Sequence, residues 1–133
     1  MMVWQQQYAS VFFGGAVGAC LRFMLVNTVT RRWGSAFPWG TLSVNLLGCF
    51  LAGIIMTVLA TRTDPQGMLR ALLIVGVIGG FTTFSSWIME CFAFFRATPP
   101  ALSVAVAYIS ASFLGGVLLM ALGVWIARCM LDR

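Results

Sequence analysis

Apolar and polar positions divide the chain into four long hydrophobic segments joined by short polar connections. The segments run from about Tyr8 to Thr30, Phe37 to Thr61, Ala71 to Phe95 and Leu102 to Ala127. Each is close to or above the roughly 20 apolar residues that carry a helix across a bilayer core. The connections are Arg31-Arg32-Trp33-Gly34-Ser35, Arg62-Thr63-Asp64-Pro65-Gln66-Gly67 and Arg96-Ala97-Thr98-Pro99-Pro100, all rich in helix breakers. The pattern predicts an all-α membrane protein with four transmembrane helices, packed as antiparallel neighbours in one integral membrane domain over residues 1–133. The leader Met1-Met2-Val3-Trp4-Gln5-Gln6-Gln7 has no positive region, and the apolar run after it exceeds a signal-peptide core. The first segment therefore reads as a retained span.

Polar groups inside a span are costly, so their positions carry information. In the first segment Gly15, Gly18 and Arg22 share one helical face, and Gly14 with Gly18 forms a small-xxx-small pattern that lets backbones approach. Arg22 is placed either to snorkel to the interface or to offer a fixed positive charge to an anion. The second segment carries Thr41, Asn45, Gly48 and Ala52 along one face. An amide at that depth serves either as interhelical glue or as a donor lining a pore. In the fourth segment Tyr108, Ser112 and Gly115 share a face.

The third segment differs from the others. Gly76-Val77-Ile78-Gly79-Gly80-Phe81-Thr82-Thr83-Phe84-Ser85-Ser86 sets three glycines, then four hydroxyls interleaved with two aromatics, in mid-span. Glycine costs ~1 kcal/mol per residue in a helix, so this helix is predicted to break near its middle. Backbone groups freed at membrane depth persist only when buried in protein or lining a polar cavity or ion site. Free carbonyls suit a cation, whereas free N–H groups and hydroxyls suit an anion. The competing reading is a glycine crossover whose hydroxyls bond back to their own helix. Phe81 and Phe84 are three residues apart, which a regular helix sets on one face, and their ring edges are electropositive. Glu90, the only acid within a span, can cap a vestibule, pair with an arginine, or sit at the interface near Arg96.

Composition narrows the functional classes. Hydrophobic residues make up 61% of the chain and charged residues 8%, against about 25% charged in soluble domains; such a chain belongs in lipid. It has no His and no Lys, and its only carboxylates are Asp64, Glu90 and Asp132. Most catalytic constellations cannot be built from that set, so an enzyme is not expected. Cys20, Cys49, Cys91 and Cys129 form no CxxC pair and read as small hydrophobes. The net charge of +5 comes from dispersed arginines with no cluster beyond Arg31-Arg32, which sets nucleic-acid binding aside.

Orientation is read from loop arginines. The side with both termini and the second connection holds Arg62, Arg70, Arg128 and Arg133; the other holds Arg31, Arg32 and Arg96. So small a bias permits insertion in both orientations and pairing of two oppositely oriented copies.

Gly14-Gly15-Ala16-Val17-Gly18-Ala19-Cys20-Leu21-Arg22, Gly40-Thr41-Leu42-Ser43-Val44-Asn45-Leu46-Leu47-Gly48 and Gly79-Gly80-Phe81-Thr82-Thr83-Phe84-Ser85 together resemble the CrcB/Fluc family of bacterial fluoride channels. The likeness covers essentially the whole chain in length, span number and motif order. It implies a multi-pass protein of the bacterial inner membrane, forming an antiparallel, dual-topology homodimer with two fluoride pores and a structural, non-transported sodium ion at its centre. Carried onto this sequence, the resemblance makes Asn45 the pore amide and Phe81 and Phe84 the ring-edge ligands of fluoride. Thr41, Tyr108 and Ser112 become members of a polar track, with the hydroxyls of Thr82, Thr83 and Ser85 beside it. Backbone carbonyls of Gly76 and Gly79 become the sodium ligands, Arg22 the first-helix arginine and Glu90 a vestibule carboxylate. The implied function is passive export of cytoplasmic fluoride, which lowers its toxicity.

Two rival readings remain at this level. A small multidrug transporter also has four spans, but it relies on a buried glutamate in the first helix, and this chain has none there. A scaffold subunit using glycines only for packing does not account for the hydroxyls between Thr82 and Ser86.

Overall fold

The computed structural model describes residues 3–132, and they are helical almost throughout. Helix α1 (Val3–Trp33) and helix α2 (Trp39–Ala60) are followed by α3 (Met68–Arg70), a π-helical stretch (Ala71–Ile78), α4 (Gly79–Phe81), α5 (Phe84–Arg96) and α6 (Leu102–Leu131). Taken as spans, four helical runs are long and apolar enough to cross a membrane, the third extending over Met68–Arg96. The protein is therefore a multi-pass membrane protein.

Three spans overrun their predicted ends. The first begins at Val3 and ends at Trp33, the third runs from Met68 to Arg96, and the fourth reaches Leu131. Gln5-Gln6-Gln7, Arg31 and Arg128 are good helix formers, so the helix continues after the apolar run has stopped. At 1.5 Å per residue the 31 residues of α1 extend about 46 Å, beyond the ~30 Å hydrocarbon core into the headgroup region. The second span is instead trimmed to Trp39–Ala60, because Pro38 occupies its N-cap position. Sharp chain reversals follow at Gly34 (φ 80°) and Gly67 (φ 65°), left-handed positions that favour glycine. Gly34 N–H donates to Thr30 O at 2.9 Å and closes the end of α1. Beside Gly67, the Asp64 carboxylate accepts from Arg70 N–H at 3.1 Å.

Successive spans run antiparallel, but the closest packing is between spans that are not neighbours in sequence. The most extensive contacts join α1 to the π-helical stretch and α2 to α6, and each of these pairs runs parallel. Gly14 lies on the backbone of Leu72 and Gly76, Gly18 on Val77 and Phe81, and Gly80 on Gly15. In the second pair Gly53 meets Met120 and Val124, and Gly123 meets Phe50 and Ile54. A methyl group added at any of these glycines would collide with backbone. Lipid tails are as apolar as leucine, so helices associate where backbones can come closest rather than where loops are shortest. Widening into π geometry turns Leu72, Gly76 and Val77 towards α1, a local departure that often accompanies functional sites.

The remaining surface is apolar. Phe12, Phe13, Phe23, Phe113 and Leu118 are all more than half exposed in the single chain, as lipid-facing or partner-facing positions are. Trp33 stacks edge-on with Trp39 at 5.5 Å beside Arg31 and Arg32, forming an aromatic and basic rim at one end. Of the loop arginines, Arg133 lies outside the described residues.

Candidate functional site

Within the third span, α4 ends at Phe81 and α5 starts at Phe84. Thr82 (φ −88°, ψ 159°) and Thr83 (φ −147°, ψ 116°) between them are extended. Two extended residues at membrane depth expose peptide groups that must find partners inside the protein. Thr82 turns back, its N–H and its Oγ1 hydroxyl each donating to Ile78 O at 3.0 Å. Thr83 starts α5 as its N-cap: Oγ1 accepts from Ser86 N–H at 3.3 Å and donates to Ser86 Oγ at 2.9 Å.

The Thr83 peptide groups and the Gly80 carbonyl are met from other helices. Asn45 Oδ1 accepts from Thr83 N–H at 2.8 Å, and Asn45 Nδ2 donates to Thr83 O at 3.1 Å. Arg22 Nε donates to Gly80 O at 3.0 Å. Arg22 is half-buried and tied to the carbonyl end of α4. Asn45 is likewise first a latch on the break, with one amide proton left over for any other partner.

A second polar group lies one helical turn along α2. The carboxylate of Glu90 accepts from Thr41 Oγ1 and from Tyr108 Oη, both at 2.6 Å. Thr41 and Tyr108 are buried, Tyr108 completely. The Arg96 guanidinium lies 5.9 Å over the Phe92 ring. Glu90 also borders a hollow of about 300 Å³ with Thr30, Ser35, Phe37, Pro38, Ala93 and Phe94.

The two groups are joined by Trp87 and Ser112. Trp87 Nε1–H donates to Ser112 Oγ at 2.9 Å, and Ser112 Oγ–H donates to Tyr108 O at 2.7 Å. On the far side of this link lies a cavity of about 410 Å³ lined by Asn45, Gly48, Cys49, Thr82, Thr83, Phe84, Trp87, Ser112 and Phe113, among others. Asn45 and Thr83 thus face Trp87 and Ser112 across the cavity, and Ser112 leads on through the Tyr108 backbone carbonyl towards the Tyr108–Glu90–Thr41 group. Every buried side-chain nitrogen and oxygen among the described residues has a partner.

The aromatic pair is not on one face. Phe81 is 6% exposed and Phe84 is 74% exposed, because the extended Thr82-Thr83 link breaks the helical phase between them. Ser85 is exposed beside Phe84. Gly76 is buried against Gly14, while Gly79 is exposed with its nearest neighbour, Ile74 O, in ordinary contact. Among the described residues no three His, Cys, Asp or Glu side chains converge. The four cysteines are free. Sequence reasoning noted the Ser86 hydroxyl without giving it a role and passed over Trp87, whose only signal was an indole donor one turn beyond Thr83, on the same short helix as Glu90.

The family model for CrcB-like proteins, described as camphor resistance, matches residues 9–124. The chain belongs to that family. A relative from Xanthomonas euvesicatoria named fluoride-specific ion channel FluC is 44% identical over 131 residues, covering 98% of this chain and 97% of the relative. Proteins of the same name from Xylella fastidiosa and a Chelativorans species are 49% and 40% identical, covering 72% and 91% of this chain and 67% and 95% of their own lengths. The CrcB family is therefore the frame for these polar groups and for the interruption at Thr82-Thr83.

Proposed function

We propose that this CrcB-family chain is a fluoride-selective channel of the bacterial inner membrane that exports cytoplasmic fluoride passively and lowers its toxicity. The observation that carries the reading is a cavity lined by Asn45, Trp87 and Ser112 beside the Tyr108–Glu90–Thr41 group, polar side chains set in a wall that is otherwise apolar. The names of the relatives in Xanthomonas and Xylella support the choice of fluoride. Fluoride is small and strongly hydrogen-bonding, so hydroxyl, amide and ring-edge donors can replace its water in a path too narrow for larger anions. Arg22 contributes positive charge in a low-dielectric setting, where a charge acts over a longer range than in water.

The working unit is an antiparallel, dual-topology homodimer with a sodium ion at its centre. The large exposed face of Phe84, next to Asn45 and Thr83, supports a partner surface. Carbonyl chemistry at the end of α4 fits a small hard cation. In a continuous helix Thr83 N–H would donate to Gly79 O, but it donates to Asn45 instead, leaving that carbonyl without its helical partner. Gly76 O shares the Gly79 N–H with Ile74 O and keeps a lone pair. Bound sodium would hold these carbonyls together and add positive charge near the path. The multidrug reading lacks support, since α1 holds no carboxylate.

Efflux from liposomes containing the purified protein, measured with fluoride and chloride electrodes, tests the channel. Fast fluoride release with retained chloride is expected; fluoride release equal to that of empty liposomes overturns the reading. A reporter fused after Arg133 should be found on both membrane faces.

A further inference from the structure

Helix α2 and the third span are joined by residues 61–67, and a hollow of about 260 Å³ lies where they meet at the membrane end. Its floor is apolar, made by Met56, Leu59 and Ala60 near the end of α2 and by Ile74 on the third span. Its rim is charged, with Arg62, Asp64 and Arg70 standing around Gly67. Met56 to Ala60 rises about 6 Å along the helix, so the hollow crosses from hydrocarbon depth into the headgroup region, where the apolar runs stop.

The rim is tied in place by its backbone. Gly67 N–H donates to Asp64 O at 3.0 Å, and Ala71 N–H donates to Gly67 O at 2.9 Å. Asp64 Oδ2 accepts from Arg70 N–H at 3.1 Å, and Gln7 Nε2–H donates to Gln66 O at 2.6 Å, which pins the connection to α1. Asp64 is thereby held half-buried in the turn, whereas the side chains of Arg62 and Arg70 are exposed. Two guanidiniums against one carboxylate leave this rim with net positive charge. A second hollow, beyond the ridge of Met56 and Ala60, is lined by one arginine and one acid, Arg128 and Asp132. Its charges balance, so the preference for an anion belongs to the first hollow alone.

We propose that the Arg62–Arg70 hollow is a binding site for an anionic phospholipid. The phosphodiester sits between the two guanidiniums, whose planar forks match phosphate oxygens. The glycerol fills the hollow, and an acyl chain runs inwards over Met56 and Ile74. A free phosphate would gain the rim only, whereas a lipid gains the rim and the apolar floor together. A zwitterionic lipid brings its own cationic group against the two arginines, which offsets part of that gain. Bound there, the lipid bridges the end of α2 and the start of the third span. The site rests on the membrane placement of the spans and not on the channel reading.

The test is native mass spectrometry of the full-length protein in detergent, with phosphatidylglycerol or phosphatidylcholine of the same acyl chains. Phosphatidylglycerol should be retained about tenfold more tightly, the order expected for two arginines at a headgroup. Arg62→Gln combined with Arg70→Gln should reduce its retention to that of phosphatidylcholine, and Arg128→Gln should leave the preference intact. Phosphatidylglycerol should also raise the melting temperature of the unsubstituted protein, because a ligand of the folded state stabilises it. If the double variant does not fold, Met56→Trp serves instead: residue 56 is 45% exposed, so the larger ring fills the floor while both arginines stay, and the preference should again be lost. Equal retention of the two lipids by the unsubstituted protein overturns the site, as does a preference that survives these substitutions. Inorganic phosphate that raises the melting temperature as much as phosphatidylglycerol does would show a free-anion site and overturn the lipid.

Discussion

Asn45 on α2 grips both sides of the Thr83 peptide, accepting from its N–H at 2.8 Å and donating to its carbonyl at 3.1 Å. A side-chain amide presents a donor and an acceptor in the same spacing as a backbone partner, so Asn45 substitutes for the helical bonds that Thr83 gives up. Three consequences meet at this residue. The interruption between α4 and α5 is held in one geometry, the Gly79 carbonyl is deprived of its usual donor, and one Asn45 proton remains facing the cavity.

Replacing Asn45 by Ala should leave both Thr83 groups unpaired at membrane depth, at about 1–3 kcal/mol for each buried group. A lower thermal midpoint in detergent, followed by size exclusion, is the expected outcome, together with fluoride efflux reduced at least about tenfold. Asn45→Asp keeps the acceptor but sets an oxygen against Thr83 O, so it should lose flux as well. Normal efflux in both variants would remove Asn45 from the path.

The two phenylalanines should separate by mutation. Phe81 is buried and Phe84 is exposed, so Phe81→Ile should lower both stability and flux, whereas Phe84→Ile should lower flux and leave the melting of the isolated subunit unchanged. Truncating a well-packed ring costs several kcal/mol when the site cannot collapse, and much less on an open face. Parallel melting and efflux series on the two variants check this.

Tyr108→Phe removes one of the two hydroxyls that the Glu90 carboxylate accepts from, leaving a carboxylate oxygen without its donor, at about 1–3 kcal/mol. Fluoride efflux should fall while the rings of Phe37 and Phe94 keep their contacts with residue 108. Adding Glu90→Gln should recover part of the stability, since a neutral amide needs fewer donors. The double-mutant cycle measures the coupling.

Glycine packing predicts a contrast within one helix. A methyl at Gly18 would run into the backbone of Val77, whereas at Gly15 it would meet nothing within 4 Å. Gly18→Ala should push α1 off the third span and destabilise the protein by about 1–3 kcal/mol. Gly15→Ala should be neutral or slightly stabilising through helix propensity. Thermal unfolding of the two variants in the same detergent gives the comparison.

If Gly79 binds sodium through its carbonyl, a side chain there should matter little, because an added Cβ has only ordinary contact with Ile74 O at 3.7 Å. Gly79→Ala should retain efflux, and exchange of sodium for a large organic cation should abolish it in both proteins. Efflux that ignores the cation would sink the sodium site.

Much of this site was legible in the residues themselves. The glycine and hydroxyl run from Gly76 to Ser86 marked the third span as different, and Asn45, Thr41, Tyr108 and Ser112 stood out as polar groups at depths where polar groups are costly. Their partners were not legible. Whether Asn45 met an anion, a neighbouring helix or a peptide group depended on a residue 38 positions away. Glu90 could have met any of several arginines, and it met two hydroxyls.

The sequence by itself determined that the chain lives in lipid and has four spans, because hydrophobic length and the scarcity of charge act locally and need no knowledge of neighbours. It also determined the family, through motifs whose residue types and order persist along almost the whole chain. Only the tertiary structure decided that the spans pair in parallel, α1 with the third and α2 with α6, and that Phe81 and Phe84 part company across an extended link. Both outcomes depend on where two backbones can come within contact, a property of glycines on different helices taken together. The hydrogen bond between Trp87 and Ser112 has the same origin: an indole and a hydroxyl 25 residues apart meet only when antiparallel α5 and α6 bring them to 2.9 Å.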